Sequence, residues 1–209
     1  MNDKPPEKDQ SSYRSHSACP WWLCFTFDNI FRRLFQNPER ILKPYIVKGS
    51  TVLDIGPGMG YFTIPLAKLV GNTGKVIAAD IQQKMLDGVQ RRAVRAGVID
   101  RIKLHKNTPD SIGLSESIDF CLSFWMIHEV PNRVQLLSEI SSRLKQNGLM
   151  LLVEPKLHVS ENDFNKTLEI AQSVGLSIVD KPKISLSQSA LLKKKLYISP
   201  ARLPAAAMS

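Results

Sequence analysis

The sequence predicts an α/β fold: a doubly wound, mostly parallel seven-stranded sheet with helices on both faces, as a single domain with an N-terminal helical extension. Three observations carry this expectation. Short apolar runs alternate with longer segments whose apolar residues recur every three or four positions. The first such run, Val52-Leu53-Asp54-Ile55, leads straight into Gly56-Pro57-Gly58-Met59-Gly60, where a chain must turn tightly and expose its backbone. The length, 209 residues, suits one α/β domain with a proper core and modest extensions.

Taken in order, residues 1–18 are polar, rich in Ser, Lys, Asp and Pro, and lack apolar periodicity; a disordered tail is expected. Residues 19–48 form the extension. Within residues 19–35, nine are Trp, Phe, Leu or Ile. Ile30, Phe31, Leu34 and Phe35 share one helical face, opposite Arg32 and Arg33, and Asp28 or Asn29 can cap that helix. Three roles compete: a helix packed over the core, a lid over the site, or an anchor on a membrane surface. The lid reading assigns Trp22 and Phe31 to the substrate.

The domain proper is expected over residues 49–198. After the first strand and its glycine turn, Phe62, Leu66, Leu69 and Val70 have helical spacing, with Pro65 tolerated in the first turn. Lys75–Ala79 is strand two and ends at Asp80. A helix from Met85 to Ala96 stops at Gly97. Ile102 and Leu104 belong to strand three, Ile118–Phe124 is strand four, and a helix from Val134 to Leu144 ends near Gly148. Leu149–Val153 is strand five, before Glu154-Pro155. A helix from Asp163 to Val174 precedes strand six, Leu176–Val179, and Leu191–Ile198 is the last strand. Residues 199–209 read as a frayed tail.

The glycine turn discriminates between nucleotide ligands. A dinucleotide fingerprint would place its third glycine at position 61, which is Tyr61, and no phosphate-loop Gly-Lys-Ser/Thr occurs. Asp54, just before the turn, would repel a pyrophosphate and suits a cationic amine. Asp80 falls twenty residues after Gly60, with Ile81 beside it, and a carboxylate there can accept hydrogen bonds from both ribose hydroxyls.

The segment Val52–Ala67 resembles motif I of the class I S-adenosylmethionine-dependent methyltransferases, and Asp80 matches the acidic residue of motif II. Asp119-Phe-Cys-Leu-Ser-Phe resembles motif IV. Leu137-Ser-Glu-Ile-Ser-Ser-Arg-Leu-Lys-Gln-Asn-Gly resembles the L-x-E-x-x-R-x-L-K-P-G-G helix and turn, with Gln146-Asn147 in place of Pro-Gly. The resemblance runs from about residue 40 to 198. It is strongest to the branch holding ubiquinone/menaquinone biosynthesis and other small-molecule methyltransferases. It implies a Rossmann-like sheet, S-adenosyl-L-methionine as cofactor, S-adenosyl-L-homocysteine as product, and a small acceptor. The aromatic extension makes that acceptor apolar, quinone- or lipid-like. The cofactor residues it implies are Asp54, Gly56, Gly58, Gly60, Asp80, Ile81, Asn107, Thr108 and Ser123. Asn107 stands where relatives carry the Asp that binds the adenine amino group, and its side-chain carbonyl can also accept. His128, just beyond strand four, is the candidate base, since its unperturbed pKa lies near neutrality; a packing role is the alternative. Trp125 and Glu154 are the remaining candidate substrate contacts.

Other classes are tested by what they need. The net charge is +9, concentrated toward the ends: residues 181–209 hold six basic residues and no acidic one. Such ends favour nucleic acid, an anionic membrane surface or an acidic substrate, or form a solvated surface. No dedicated nucleic-acid module is visible. Ser123-Phe124-Trp125-Met126 replaces the Asn/Asp-Pro-Pro-Tyr/Phe of amino-group methyltransferases. An arsenite-type enzyme needs several thiols near its site, whereas Cys19 and Cys24 lie in the extension and Cys121 in strand four. Asp119 alone makes no metal site. A non-catalytic partner protein that keeps the fold stays open. No run of about 18 apolar residues occurs, and the opening residues lack a signal-peptide pattern. A cytoplasmic protein is expected, with peripheral membrane contact through the N-terminal aromatics and arginines.

Overall fold

A computed structural model describes residues 36–195 of the chain. The expected tails, and most of the aromatic extension with Trp22 and Phe31, lie outside the described residues. A short helix, α1 (Pro38–Leu42), comes first; Asn37 caps it by accepting from the Arg40 backbone N–H at 3.1 Å. Then β1 (Thr51–Ile55), α2 (Thr63–Leu69), β2 (Lys75–Asp80), α3 (Gln83–Arg95) and β3 (Ile102–Lys106) follow in alternation. The second half runs β4 (Ile118–Phe124), α4 (Arg133–Arg143), β5 (Leu144–Pro155), α5 (Glu161–Ser173), β6 (Leu176–Asp180) and β7 (Ser187–Lys194).

The seven strands form one sheet in the order β3-β2-β1-β4-β5-β7-β6. β1 is parallel to β2 and β4, β2 to β3 and β4 to β5, while β7 runs antiparallel to both β5 and β6. The mostly parallel, doubly wound expectation holds. Alternate strand residues part to opposite faces, as a pleated strand requires. Leu53, Ile55, Ile77, Ala79, Met150 and Leu152 pack against Leu137 and Ile140 of α4 and Phe164 and Leu168 of α5. Val52, Val76, Ala78, Leu122, Leu151 and Val153 pack against Leu42 of α1, Leu66 of α2, and Val89 and Ala93 of α3. A sheet covered on both faces needs strands that are apolar throughout, and this is why β1 and β2 read as runs rather than alternations.

Two boundaries differ from the sequence reading. β7 starts at Ser187, four residues before the expected strand, and pairs with β5 from Pro155↔Ser187 to Leu149↔Lys193. Ser187 and Ser189 are buried there, their hydroxyls donating to the Ser185 and Pro182 carbonyls. Internal hydrogen bonds let polar residues occupy a strand that looks like a loop in sequence. β5 begins directly after α4, and its register with β4 jumps between Ile118↔Leu144 and Phe120↔Leu149. The surplus residues include Asn147 in the left-handed region at φ 67°, so the Gln146-Asn147-Gly148 turn is a bulge inside the strand.

The order of strands locates the site. The chain builds outward from β1 through β2 to β3, then returns to β1's other side with β4 and β5. At such a reversal the connections leave in opposite directions and open a crevice beyond the carboxyl ends of the strands. Here that crevice lies between the ends of β1 and β4.

Candidate active site

A cavity of about 570 Å³ occupies this crevice. Its floor is the glycine turn. The N–H of Gly56 donates to the Ala79 carbonyl at 2.9 Å, tying the end of β1 to β2. Gly56 has φ 67°, and a Cβ there would sit 2.8 Å from Cγ of Met126, so the turn and the loop after β4 approach too closely for any side chain. Gly58 has φ 54° and nothing within 4 Å of a Cβ position. Its backbone faces open space.

Acidic groups ring the cavity. Asp54, 2% exposed at the end of β1, accepts from the Thr63 hydroxyl of α2 at 2.7 Å. Burial raises its pKa to about 7, the Thr63 bond opposing and the charge of Asp80 adding. Asp80, at the end of β2, accepts from the Gln82 N–H at 2.8 Å. Burial lifts it to about 6, against that bond, with Glu129 adding. Asn107 follows β3, its N–H donating to the Asp80 carbonyl at 3.2 Å. Its Oδ1 is buried and has no hydrogen-bond partner, an acceptor waiting for a donor. Ile81, Thr108, Asp110, Glu129 and Glu139 also line the cavity, and no lysine or arginine among the described residues does. On a chain of net charge +9, the cavity is selectively acidic.

Opposite, an aromatic wall closes the site. Phe62 lies 4.2 Å from Phe124 between ring centroids, edge-on to Tyr61 at 5.2 Å, and Phe124 lies 5.6 Å from Trp125. Trp125 has φ 60°, and its indole N–H donates to the Ser187 hydroxyl at 2.9 Å, which fixes the ring against β7. His128 lines the cavity from a single 3₁₀ turn, Ile127–Glu129. Its Nδ1 is bonded to Glu154 Oε2. Burial works against the charged ring, but the bond and charge of Glu154, with Glu129 adding, raise its pKa above the usual histidine value.

Most of the expected residues meet in this space: Asp54, Gly56, Gly58, Asp80, Ile81, Asn107, Thr108, Trp125 and His128 all line it. Three do not. Gly60, at φ 90°, faces Val89 of α3. Ser123 is fully buried in the sheet, its hydroxyl without a partner. Glu154, expected to touch substrate, is 1% exposed and sits behind the wall, bonded to the Ile127 N–H at 3.0 Å and to His128. Asp119 lies at the opposite end of β4, held by the Thr51 N–H and Lys145, both at 2.9 Å. Sequence reasoning missed Tyr61, Met126 and Glu139; of these only Tyr61 carried a signal, as the side chain replacing a dinucleotide glycine. Cys121, fully buried on β4, has its thiol pushed well above the usual range by burial, and is chemically inert.

Residues 52–148 match a family described as methyltransferase domain. Over 108 residues the chain is 29% identical to the ubiquinone/menaquinone biosynthesis C-methyltransferase UbiE of Escherichia coli, covering 51% of this chain and 43% of that protein. The chain thus spans less than half the length of the curated relatives it matches. An S-adenosylmethionine-dependent methyltransferase from Aquifex aeolicus superposes with a TM-score of 0.75 at 21% identity, over 85% of this chain and 100% of that one. An S-adenosylmethionine-dependent O-methyltransferase from Thermotoga maritima superposes at 0.62 and 18% identity, over 77% and 65%. Residues 52–148 thus match a methyltransferase domain, and the fold is the one seen in solved S-adenosylmethionine-dependent methyltransferases. Over its matched half it resembles UbiE.

Proposed function

We propose that the chain transfers a methyl group from S-adenosylmethionine to a small, largely apolar acceptor that carries no negative charge. The observation that carries this is one continuous cavity joining the Asp54–Gly58–Asp80–Asn107 cradle to an aromatic wall and an imidazole. The residues fit the cofactor. Asp80 would accept from the ribose hydroxyls, the unpartnered Oδ1 of Asn107 from the adenine amino group, and Asp54 would balance positive charge near the open backbone of Gly58. When bound, the cofactor supplies a methyl on a sulfonium; the carbon–sulfur electrons stay on sulfur and leave S-adenosylhomocysteine.

The chain's own residues then orient the acceptor and manage its proton. Tyr61, Phe62, Phe124 and Trp125 would hold an apolar ring or chain and exclude water. His128 would take the proton released as the acceptor gains its methyl. A quinone- or lipid-like acceptor agrees with the aromatic wall and with the names of the matched relatives. The five carboxylates among the lining residues disfavour phosphate-bearing acceptors, nucleic acid included.

Gln36 supports a role for the aromatic segment before it. It is 1% exposed, its side chain donates to the Ser185 carbonyl at 3.1 Å, and its own carbonyl accepts from the Tyr61 hydroxyl at 2.8 Å. Gln36, the first described residue, thus lies beside the wall, and within this proposal Trp22 and Phe31 are acceptor contacts. Among the described residues no helix is long and apolar enough to cross a membrane; contact with a membrane surface, a cytoplasmic location and a small-molecule partner belong to this reading.

Calorimetric titration with S-adenosylmethionine, followed by transfer of a labelled methyl to quinone, phenol and lipid acceptors read by product mass, tests it. Binding in the micromolar range, about −8 kcal/mol, is expected. A chain that binds no S-adenosylmethionine is a scaffold with this fold, and the proposal falls.

A further inference from the structure

The carboxylate of Glu154 is spent entirely on the turn that carries His128. It is 1% exposed at the end of β5, one oxygen accepting from the Ile127 N–H at 3.0 Å and the other bonded to Nδ1 of His128. A carboxylate oxygen only accepts, so Nδ1 must be the nitrogen that carries the proton. Nε2 is the nitrogen not bonded to Glu154, on a ring that lines the cavity. We propose that Glu154 is a positioning residue that locks His128 in the Nδ1-protonated tautomer and presents Nε2 as the proton acceptor for methyl transfer. This rests on the methyl-transfer reading above.

The surroundings suit that task. As the acceptor's new bond to carbon forms, its proton passes to Nε2, and the imidazolium so produced lies between Glu154 and Glu129, whose Oε1 is 4.0 Å from Nε2. Arg133 of α4 holds the other side of the turn, its guanidinium donating to the His128 carbonyl at 3.5 Å and to Thr167 of α5 at 3.0 Å. Asp80 and His158 line the same cavity. Two carboxylates against one guanidinium favour the charged ring, which agrees with its raised pKa. A purely structural role for Glu154 would require only its bond to Ile127.

Nitrogen-15 spectra of histidine-labelled full-length protein give a readout independent of turnover. In the wild type the neutral His128 ring should be the Nδ1–H tautomer, titrating above the usual histidine value. Glu154→Gln keeps shape and one acceptor oxygen but removes the charge. It should lower the His128 midpoint, mix the tautomers, move the acid limb of the kcat profile to lower pH, and reduce kcat by about tenfold or more. Cofactor KM should stay unchanged. A wild-type ring in the Nε2–H tautomer overturns the proposal, as does a Glu154→Gln variant with an unmoved midpoint and acid limb. Should the variant not fold, the wild-type tautomer alone decides. Failure to bind S-adenosylmethionine would remove the methyl-transfer reading while leaving the tautomer result intact, so the two failures are distinct.

Discussion

Asp54 at the end of β1 and Thr63 at the start of α2 are joined by a 2.7 Å hydrogen bond across the glycine turn. Both are almost completely buried, at 2% and 0% exposure. The bond clamps strand to helix and so fixes the curvature of Gly56–Gly60 between them. It also leaves a buried carboxylate with a single donor among the described residues, beside a cavity, which is costly until a cation arrives.

The first expectation is a pH dependence of stability. Asp54 and Asp80 have pKa values raised to about 7 and about 6, above an unfolded value near 3.9. Between these limits the folded state binds more protons than the unfolded state. Stability without ligand therefore falls as pH rises from about 4 to about 7, by on the order of a few kcal/mol for Asp54. Asp54→Asn should flatten that fall in denaturant titrations across pH 4.5–7.5. Cofactor affinity in the wild type should rise over the upper part of the range, as the carboxylates ionise. A wild-type curve parallel to that of Asp54→Asn would remove Asp54's burial as the cause.

Asp80→Ala provides the second test. Removal of an acceptor for neutral hydroxyls should weaken S-adenosylmethionine and S-adenosylhomocysteine alike, by about 1–3 kcal/mol. Calorimetry on both ligands reads this directly. Unchanged affinity would take Asp80 out of the site despite its place on the cavity wall.

Two glycines of the same turn should respond differently to alanine. Gly56→Ala meets both a left-handed φ and Met126 at 2.8–2.9 Å, so urea denaturation should show a loss of about 2–4 kcal/mol. Gly58→Ala meets only its φ of 54°, for about 1–2 kcal/mol. Its new methyl would, however, occupy space needed by a bound ligand, so cofactor affinity should drop about tenfold or more. Normal binding by Gly58→Ala would show that the ligand does not approach that backbone.

Strands buried on both faces announce themselves, and β1, β2 and β4 were legible because Val52–Ile55, Val76–Ala79 and Ile118–Phe124 are mostly apolar runs. The cradle was legible for a related reason, since Asp54 and Asp80 are costly residues at strand ends. The direction of a side chain at a strand's end was not. Glu154 and Ser123 look like cavity residues in sequence, yet the pleat points one behind the wall and the other into the sheet. The start of β7 was placed four residues too late because the hydrogen bonds that satisfy Ser187 and Ser189 involve Trp125, Gln36 and the 182–185 loop, which only tertiary structure brings together. Glu139 reaches the cavity by accepting from the Ser111 hydroxyl at 3.1 Å and the Ile112 N–H at 2.8 Å, a long-range pairing without local signature.

The last expectation concerns the segment that leads into Gln36. Residues 1–35 end where Gln36 is bonded to both Ser185 and Tyr61, and Tyr61 lines the cavity. Deletion of residues 1–35 removes none of the described residues of that anchor, the sheet or the cofactor cradle. The truncated chain should fold cooperatively and bind S-adenosylmethionine within about threefold of the full chain, since a 1.4 kcal/mol change would already be tenfold. Methyl transfer should fall by about 10²-fold or more, because an acceptor held on one side only loses its orientation and its shield from water. Both quantities come from one preparation, by calorimetry and by product mass. Normal transfer by the truncated chain would assign the aromatic residues to packing elsewhere. Sedimentation with anionic vesicles at low and high salt separates the remaining role: salt-sensitive binding by the full chain but not the truncated one would give Arg32, Arg33 and the aromatics a membrane surface as their partner.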